Sequence, residues 1–223
     1  MDWLSGELIL AFKAGGCPIC AYSNRVLQAY FFWFARENIS SLEGRQSVVL
    51  SGGFCLEHTK RFEHEIRSAH RELSVSIVYA EIIEELISRI AVWLEDKKST
   101  ARFKRHFKDQ ILSGVCPACE VASQSEKAAI SFLLKQFKDF EPAFKQSQGL
   151  CLKHLLQAFE LAQGKKMLSR LAEVEKETLT KILEDLRSFA RKSDYRYHSE
   201  LTDQERSAWL RAVSKLTGRR GSE

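Results

Sequence analysis

The sequence Cys17-Pro-Ile-Cys20 decides the fold of this chain, because the same CPxC pattern returns later as Cys116-Pro-Ala-Cys119. Each CPxC precedes a CLxH motif, which is Cys55-Leu-Glu-His58 in the first case and Cys151-Leu-Lys-His154 in the second. The gaps between the paired motifs are similar, at 34 and 31 residues, and the four motifs use all six cysteines of the 223-residue chain. The whole CPxC–CLxH unit repeats after about 97 residues, which is too long for a solenoid unit. The order of the motifs therefore predicts two homologous halves.

Both kinds of motif place metal-ligating atoms at the start of a helix. Proline after the first cysteine of CPxC suits the first helical position, because its fixed φ fits and its missing N–H costs nothing there. In CLxH the cysteine and the histidine lie three residues apart, so both side chains face the same way. Three thiolates and one imidazole form a ligand set that tetrahedral structural zinc takes.

We group these ligands by half, as two Cys3His sites that bind two zinc ions. The first site consists of Cys17, Cys20, Cys55 and His58, and the second consists of Cys116, Cys119, Cys151 and His154. The sequence leaves one alternative open, in which the CPxC of one half meets the CLxH of the other. An iron–sulfur cluster is the alternative cofactor, although one histidine among three cysteines is less usual for it. The interpretation of the cysteines as small buried hydrophobes is disfavoured by the repetition of the motifs.

Apolar periodicity predicts an all-α fold with two tandem helical halves. No segment shows the sustained period-two alternation that is typical of strands. A long amphipathic helix closes each half, and its apolar stripe is expected to face the core. The first stripe consists of Leu73, Ile77, Ala80, Ile83, Ile87, Ile90 and Leu94, and the second of Leu168, Leu171, Leu179, Ile182, Leu186 and Phe189.

The predicted organisation has three parts. Residues 1–98 form the first metal-binding half, residues 99–192 form the second, and residues 193–223 form a C-terminal segment with one helix and a loose tail. The join between the halves lies in the charged patch Glu95–Thr100, which interrupts the apolar pattern. The last helix contains Ala208, Trp209, Leu210 and Val213.

The composition is typical of a soluble globular protein, with 44% hydrophobic and 28% charged residues. The N-terminal residues lack the features of a secretory signal. The most apolar stretch, Tyr30–Ala35, is too short to span a bilayer. We therefore expect a cytoplasmic protein with no membrane segment, in which six reduced cysteines indicate metal binding rather than structural disulfides.

Two further features admit a functional interpretation. The net charge of +5 permits contact with nucleic acid, for which the basic stretch Lys97–Lys108 (KKSTARFKRHFK) is the candidate. A basic run alone is weak evidence, so we favour a solvated helix. The aromatic run Tyr30–Phe34 (YFFWF) could line an apolar pocket, but aromatics this dense in a helix more often belong to the core. His64 and His70 follow the first CLxH, and we expect them to be exposed on a helix.

The motifs and their order resemble an uncharacterised prokaryotic family of unknown function. Its members carry CPxC, then GFCxxH, then a second CxxC and a second G-[F/L]-C-x-K-H, and a late FxxKxDYR segment. The corresponding residues here are Cys17, Cys20, Gly53–Cys55, His58, Cys116, Cys119, Gly149–Cys151, Lys153, His154 and Phe189–Arg196. The loop around Ser40–Ser51 does not match this pattern. The resemblance implies a helical metal-binding protein and carries no established activity.

Two hypotheses describe the function. The first is a structural zinc protein with an interaction or scaffold role toward another protein or a nucleic acid. The second is a metalloenzyme or iron–sulfur redox protein that uses one or both sites. The sequence contains no glycine-rich phosphate loop, HExxH or GxSxG motif, so it names no catalytic residue. The matching ligand sets of the two halves favour the structural hypothesis, because open catalytic zinc usually keeps three protein ligands and a water.

Overall fold

The computed structural model describes residues 3–95, 114–193 and 201–218, and these residues are almost entirely helical, with no strand. The prediction of an all-α fold is confirmed. The first five helices are α1 (Trp3–Lys13), α2 (Pro18–Arg36), α3 (Leu42–Ser51), α4 (Leu56–Ala69) and α5 (Glu72–Glu95), with a 3₁₀ turn at Asn38–Ser40. The helices described after residue 113 are α6 (Pro117–Lys135), α7 (Phe137–Gln146), α8 (Leu152–Leu161), α9 (Lys165–Lys192) and α10 (Asp203–Thr217).

The cysteine motifs lie at four helix starts. Helices α2 and α6 both begin at the proline of a CPxC motif, where proline is favoured. Helices α4 and α8 begin directly after Cys55 and Cys151, which cap them with φ/ψ of −67°/162° and −67°/163°. The two CLxH motifs therefore share one backbone conformation at the cysteine.

The chain forms two compact units, one of residues 1–25 with 124–223 and the other of residues 26–123. The chain passes from one unit to the other within α2 and again within α6. As a result, the CPxC of α2 belongs to the same unit as the CLxH of α8, and the CPxC of α6 belongs to the same unit as the CLxH of α4. The predicted boundary between residues 98 and 99 lies outside the described residues, and the three-part division stays a prediction.

Aromatic side chains form the core of the unit of residues 26–123. Phe31 and Phe34, from the run YFFWF, are 0% and 2% exposed. Their ring centroids lie 5.2 Å and 5.5 Å from that of Phe54. The neighbouring Phe32 and Trp33 are exposed. The core interpretation of this run is confirmed for its two buried rings.

Helix α5 packs with a face other than the predicted one. Val78 and Ile82 are buried, and Val75, Tyr79 and Leu86 pack partly buried against the same core. The predicted stripe is instead exposed throughout, at Leu73, Ile77, Ala80, Ile83, Ile87, Ile90 and Leu94. The prediction that this stripe faces the core is wrong, because α5 is apolar on two faces and periodicity does not show which face packs.

Helix α9 follows its predicted pattern more closely. Leu171 and Ile182 are buried, and Leu179 is exposed. Helix α9 packs along α10, which contains the predicted last helical segment. In α10, Ala208 is fully buried, whereas Trp209 is exposed.

Candidate metal centres

The structure brings the six cysteines and two of the histidines together in two groups of four. We call these groups centre 1 and centre 2. Centre 1 consists of Cys17, Cys20, Cys151 and His154, and centre 2 consists of Cys55, His58, Cys116 and Cys119. Each centre joins the CPxC of one predicted half to the CLxH of the other. The grouping by half is therefore wrong, and the alternative that the sequence left open is the arrangement found.

Centre 1 lies entirely within the unit of residues 1–25 and 124–223. The Nδ1 atom of His154 lies 3.3 Å, 3.4 Å and 3.2 Å from the Sγ atoms of Cys17, Cys20 and Cys151. The Sγ atoms of Cys20 and Cys151 are 3.7 Å apart. All four side chains are buried, with exposures between 0% and 6%.

Centre 2 lies entirely within the unit of residues 26–123 and has nearly the same dimensions. The Nδ1 atom of His58 lies 3.2 Å, 3.7 Å and 3.4 Å from the Sγ atoms of Cys55, Cys116 and Cys119. The Sγ atoms of Cys55 and Cys119 are 3.7 Å apart. In contrast to centre 1, Cys55 and Cys119 are partly exposed.

These distances fit a single tetrahedral ion. Zinc binds sulfur at about 2.3 Å and nitrogen at about 2.0–2.1 Å, so its tetrahedral ligands lie about 3.8 Å apart for two sulfurs and about 3.5 Å apart for sulfur and nitrogen. The separations in the structure, 3.7 Å for sulfur pairs and 3.2–3.7 Å for sulfur–nitrogen pairs, agree with these values. Each centre could therefore hold a metal ion.

The local backbone supports thiolate ligands at both centres. All six cysteines lie at or next to the first turn of a helix, where unpaired N–H groups and the helix dipole favour negative charge. At α4 the N–H of His58 donates to the carbonyl of Cys55 at 3.0 Å, so the CLxH turn is already helical at its start. The cysteine and the histidine then face the same side, as the three-residue spacing predicts.

Burial and hydrogen bonds among the ligand atoms shift the pKa values of several of them. Although burial lowers it, hydrogen bonds to the Cys151 and Cys17 sulfurs raise the pKa of His154 to about 11. Hydrogen bonds with the Cys17 and Cys20 thiols lower the pKa of Cys151. Burial, with the hydrogen bond to Cys55, raises the pKa of Cys119 to about 12. Because a metal ion needs thiolates and a neutral imidazole, its binding must release protons from both centres.

A carboxylate supports the histidine of centre 1. The Oε1 atom of Glu126, on α6, lies 3.4 Å from Nε2 of His154, on the ring edge opposite the sulfurs. Nε2 has no hydrogen bond of regular geometry among the described residues, so this contact is mainly electrostatic. The second oxygen of Glu126 accepts from Lys153 at 2.8 Å. A carboxylate in this position orients a ligating imidazole and strengthens it as a ligand.

A buried ion pair supports the loop that leads into Cys151. Glu175 on α9 and Lys215 on α10 form an ion pair with side chains 2% and 5% exposed. The N–H of Leu150 donates to Glu175 at 2.6 Å, and Lys215 donates to the carbonyl of Gln148 at 2.9 Å. Gly149, between them, has φ +65°, and a Cβ there would lie 2.7 Å from a Glu175 oxygen. This position therefore requires glycine.

The loop before Cys55 is supported in a related way, by a neutral side chain. Tyr79 on α5 forms a hydrogen bond with the backbone of Phe54, and burial raises its pKa. Gly53 has φ +102°, and a Cβ there would lie 3.3 Å from the Tyr79 hydroxyl. Tyr79 and Glu175 stand at the same distance in sequence after Cys55 and Cys151.

Several candidate residues from the sequence belong to neither centre or lie outside the described residues. His64 and His70 are exposed and belong to neither centre, as expected. The basic stretch Lys97–Lys108 and the residues Asp194, Tyr195 and Arg196 lie outside the described residues. Sequence reasoning missed Glu126 and the pair Glu175–Lys215, because these residues carry no motif and Glu126 follows the CPxC of centre 2 rather than a ligand of centre 1.

None of the described helices alone combines the length and the apolar composition needed to cross a bilayer, and α1 with α2 meets both requirements only as a pair bent by 115°.

Comparison with known proteins gives a family and a relative of undetermined function. The chain is 25% identical over 215 residues to an uncharacterized 23.9 kDa protein of Caldicellulosiruptor sp. (strain Rt8B.4), an alignment that covers 95% of this chain and 99% of that protein. No solved structure matches the chain. Residues 10–223 match a family of unknown function, DUF6062, and the chain belongs to this family.

Proposed function

We propose that this chain is a structural zinc protein, in which centre 1 and centre 2 each bind one zinc ion. The observation that carries the proposal is the mutual spacing of the ligand atoms, which all lie within 4.8 Å of one another in each centre. In this arrangement each ion would fasten the start of one helix to the start of another. For centre 1 these helices are α2 and α8, and for centre 2 they are α6 and α4.

The spacing favours one ion over an iron–sulfur cluster. The protein ligands of such a cluster are distributed over two or more iron atoms. They therefore lie farther apart than four ligands of a single ion. Among single ions, three thiolates and one imidazole in tetrahedral geometry are typical of structural zinc.

The ligand number favours a structural role over catalysis. Catalytic zinc usually has three protein ligands and an open position for water or substrate. Both centres offer four protein ligands. At centre 1 these ligands are also buried, which leaves a substrate no direct path to the ion. An ion there would contribute to folding by joining residues that are far apart in sequence.

We further propose that the two halves arose by duplication, with the CPxC-bearing helices exchanged between the two compact units. The matching conformation of Cys55 and Cys151 supports this history. So does the shared contact between a side chain of the long helix and the loop that precedes each of these cysteines. The free cysteines support a reducing, cytoplasmic location.

The second part of the proposal is an interaction role. We propose that the exposed face of α5 binds a second copy of the chain. Helix α5 is about 36 Å long by its 24 residues, and its exposed aliphatic face includes Leu73, Ile83 and Ile87 at 77%, 53% and 61% exposure. Apolar patches of several hundred Å² mark interaction surfaces. A second copy offers an identical stripe of equal length, so α5 can pair with α5 around a two-fold axis.

The metal proposal is tested by elemental analysis together with the absorption spectrum of anaerobically purified protein. We expect two zinc ions per chain and no visible absorption. Stoichiometric iron with a visible charge-transfer band would overturn the zinc assignment.

The interaction proposal is tested separately, by sedimentation equilibrium. We expect a dimer that Ile83→Glu together with Ile87→Glu converts to a monomer with unchanged zinc content. A wild-type chain that stays monomeric at all concentrations would contradict it.

A further inference from the structure

The two centres differ in how far solvent reaches their sulfur atoms. The three cysteines of centre 1 are 4%, 6% and 0% exposed in the order Cys17, Cys20 and Cys151. At centre 2, Cys55 and Cys119 are partly exposed. The ligand types and the distances between ligand atoms are nearly the same, whereas the access of solvent to the sulfur atoms differs between the centres.

The end of α10 covers the sulfur atoms of centre 1. Gly218, which ends α10 with φ +68°, lies so close that a Cβ on it would be 3.0 Å from the Cys151 sulfur and 3.6 Å from the Cys20 sulfur. A solvent molecule or a chelator therefore cannot approach these two sulfurs from this side unless α10 moves.

Buried and partly buried charges hold α10 in this position. Lys215, one turn before Gly218, pairs with Glu175 and donates to the loop before Cys151. At the other end of the helix, Glu205 accepts from Lys192 at 2.8 Å and from its own N-cap residue Thr202. Moving α10 away from centre 1 would break the buried pair, which is costly.

We infer, on the basis of the proposed zinc sites, that centre 2 is an exchange site and centre 1 a permanent one. Centre 2 gives up its zinc ion to thiol or aminocarboxylate chelators and takes up thiophilic divalent cations such as Cd²⁺, while centre 1 keeps its ion. Exchange would begin when a donor atom of the chelator bonds to the ion. The Zn–S bond to Cys55 or Cys119 would then break, and the released thiolate would take up the proton that the chelator loses on binding. Both steps require solvent at the sulfur, which centre 2 provides.

The kinetics of zinc transfer to an excess of the chromogenic chelator 4-(2-pyridylazo)resorcinol test this inference on the intact wild-type chain. We expect two phases of one zinc each, with the second at least tenfold slower. After the fast phase, iodoacetamide labelling followed by peptide mass spectrometry should find label on Cys55 and Cys119 and none on Cys20 or Cys151.

Matched variants on α10 assign the slow phase. Lys215→Met weakens the anchoring of α10 and should accelerate the slow phase several-fold without changing the fast one. Leu216→Ala, at a neighbouring position that is 63% exposed, is the control and should change neither.

The outcomes separate this inference from the proposed function. Two zinc ions that leave in one phase, or label that appears first on Cys20 and Cys151, overturn the exchange inference and leave the zinc proposal intact. A chain that is purified without metal and does not take up zinc overturns both.

Discussion

Centre 1 and centre 2 are built from the same motifs at the same kind of helix start, yet their surroundings differ. Centre 1 is buried, and Glu126 and the end of α10 lie directly beside its ligands. Centre 2 has the same set of ligand atoms with two sulfurs partly exposed. The motifs define which atoms could bind a metal ion, whereas the helices packed around them define how far solvent reaches these atoms.

The loops before the two CLxH motifs differ in the same way. In front of Cys151 the supporting side chain is the buried, charged Glu175, which needs Lys215 as its partner. In front of Cys55 the supporting side chain is the neutral Tyr79, which needs no counter-ion. The loop before Cys151 therefore depends on Lys215 of α10 to balance the charge of Glu175. The loop before Cys55 needs no such counter-ion, because Tyr79 is neutral.

The largest expected effect on stability comes from removing one cysteine ligand from each centre. Cys151→Ser and Cys55→Ser should each remove one zinc ion, and both should destabilise the chain, because zinc supplies about 10–16 kcal/mol of apparent binding energy in small zinc modules. Cys151→Ser should cost more, since it leaves three buried ligands without an ion. Urea denaturation followed by circular dichroism measures the difference. A lower midpoint for Cys55→Ser than for Cys151→Ser would contradict this ranking.

The second effect compares the two supporting side chains. Lys215→Met should cost about 3–5 kcal/mol, because it leaves the Glu175 carboxylate buried without its counter-ion. Tyr79→Phe should cost about 1 kcal/mol, the value of one hydrogen bond. Chemical denaturation measures both. The double variant Glu175→Gln with Lys215→Met should recover much of the loss, and equal costs for the two single variants would argue against a charge-dependent support at centre 1.

The third effect tests which face of α5 packs. Ile82→Ala should cost about 2–5 kcal/mol, because Ile82 is 7% exposed and its loss leaves a cavity. Ile77→Ala, at 47% exposure on the predicted stripe, should change the stability by less than about 0.5 kcal/mol. Thermal denaturation of dilute protein is the measurement. A larger cost for Ile77→Ala than for Ile82→Ala would show that α5 packs with the face that the periodicity indicates.

The smallest effect concerns the start of α10, the helix that covers centre 1. Thr202→Ala should cost about 1 kcal/mol through loss of the N-cap. Hydrogen bonds with Lys192 and Ser188 lower the pKa of Glu205 to about 2, from a usual 4.5. Because the folded-state value is the lower one, Glu205 stabilises the chain above about pH 4.5, and this contribution disappears as the pH falls toward 2.

The matched variant for this pH dependence is Glu205→Gln. It should be less stable than the wild type at neutral pH, and the difference should shrink steadily below pH 4.5. Denaturation midpoints at a series of pH values give the profile. A difference that is independent of pH would show that the carboxylate charge contributes nothing to α10.

The sequence was sufficient for the fold class and for the set of residues that the structure assembles into the two centres. Helical periodicity, the proline after each first cysteine and the repeated spacing are local signals, and local signals are read reliably from one sequence. The pairing of helix starts was not predictable in this way. Which CPxC meets which CLxH depends on how α2 and α6 pass between the compact units, and no residue spacing encodes that.

The remaining errors have the same origin. Helix α5 carries Val78 and Ile82 on one face and Ile83 and Ile87 on another, so its pattern shows two apolar faces without indicating which one packs. Glu126 contacts His154 from a helix whose start belongs to the other centre. The pair Glu175–Lys215 joins α9 to α10, and nothing in the sequence between these two helices indicates that the two side chains meet. Long-range packing determines all three features.

The most direct test of the account is the zinc content of two double variants that remove ligands in different combinations. If the centres join the CPxC of one half to the CLxH of the other, Cys17→Ser with Cys151→Ser disables one centre, and the chain should keep one zinc ion. Cys17→Ser with Cys55→Ser disables both centres and should leave none. Elemental analysis after gel filtration provides the counts. The opposite result, with one ion kept by the Cys17/Cys55 variant and none by the Cys17/Cys151 variant, would contradict the exchanged pairing.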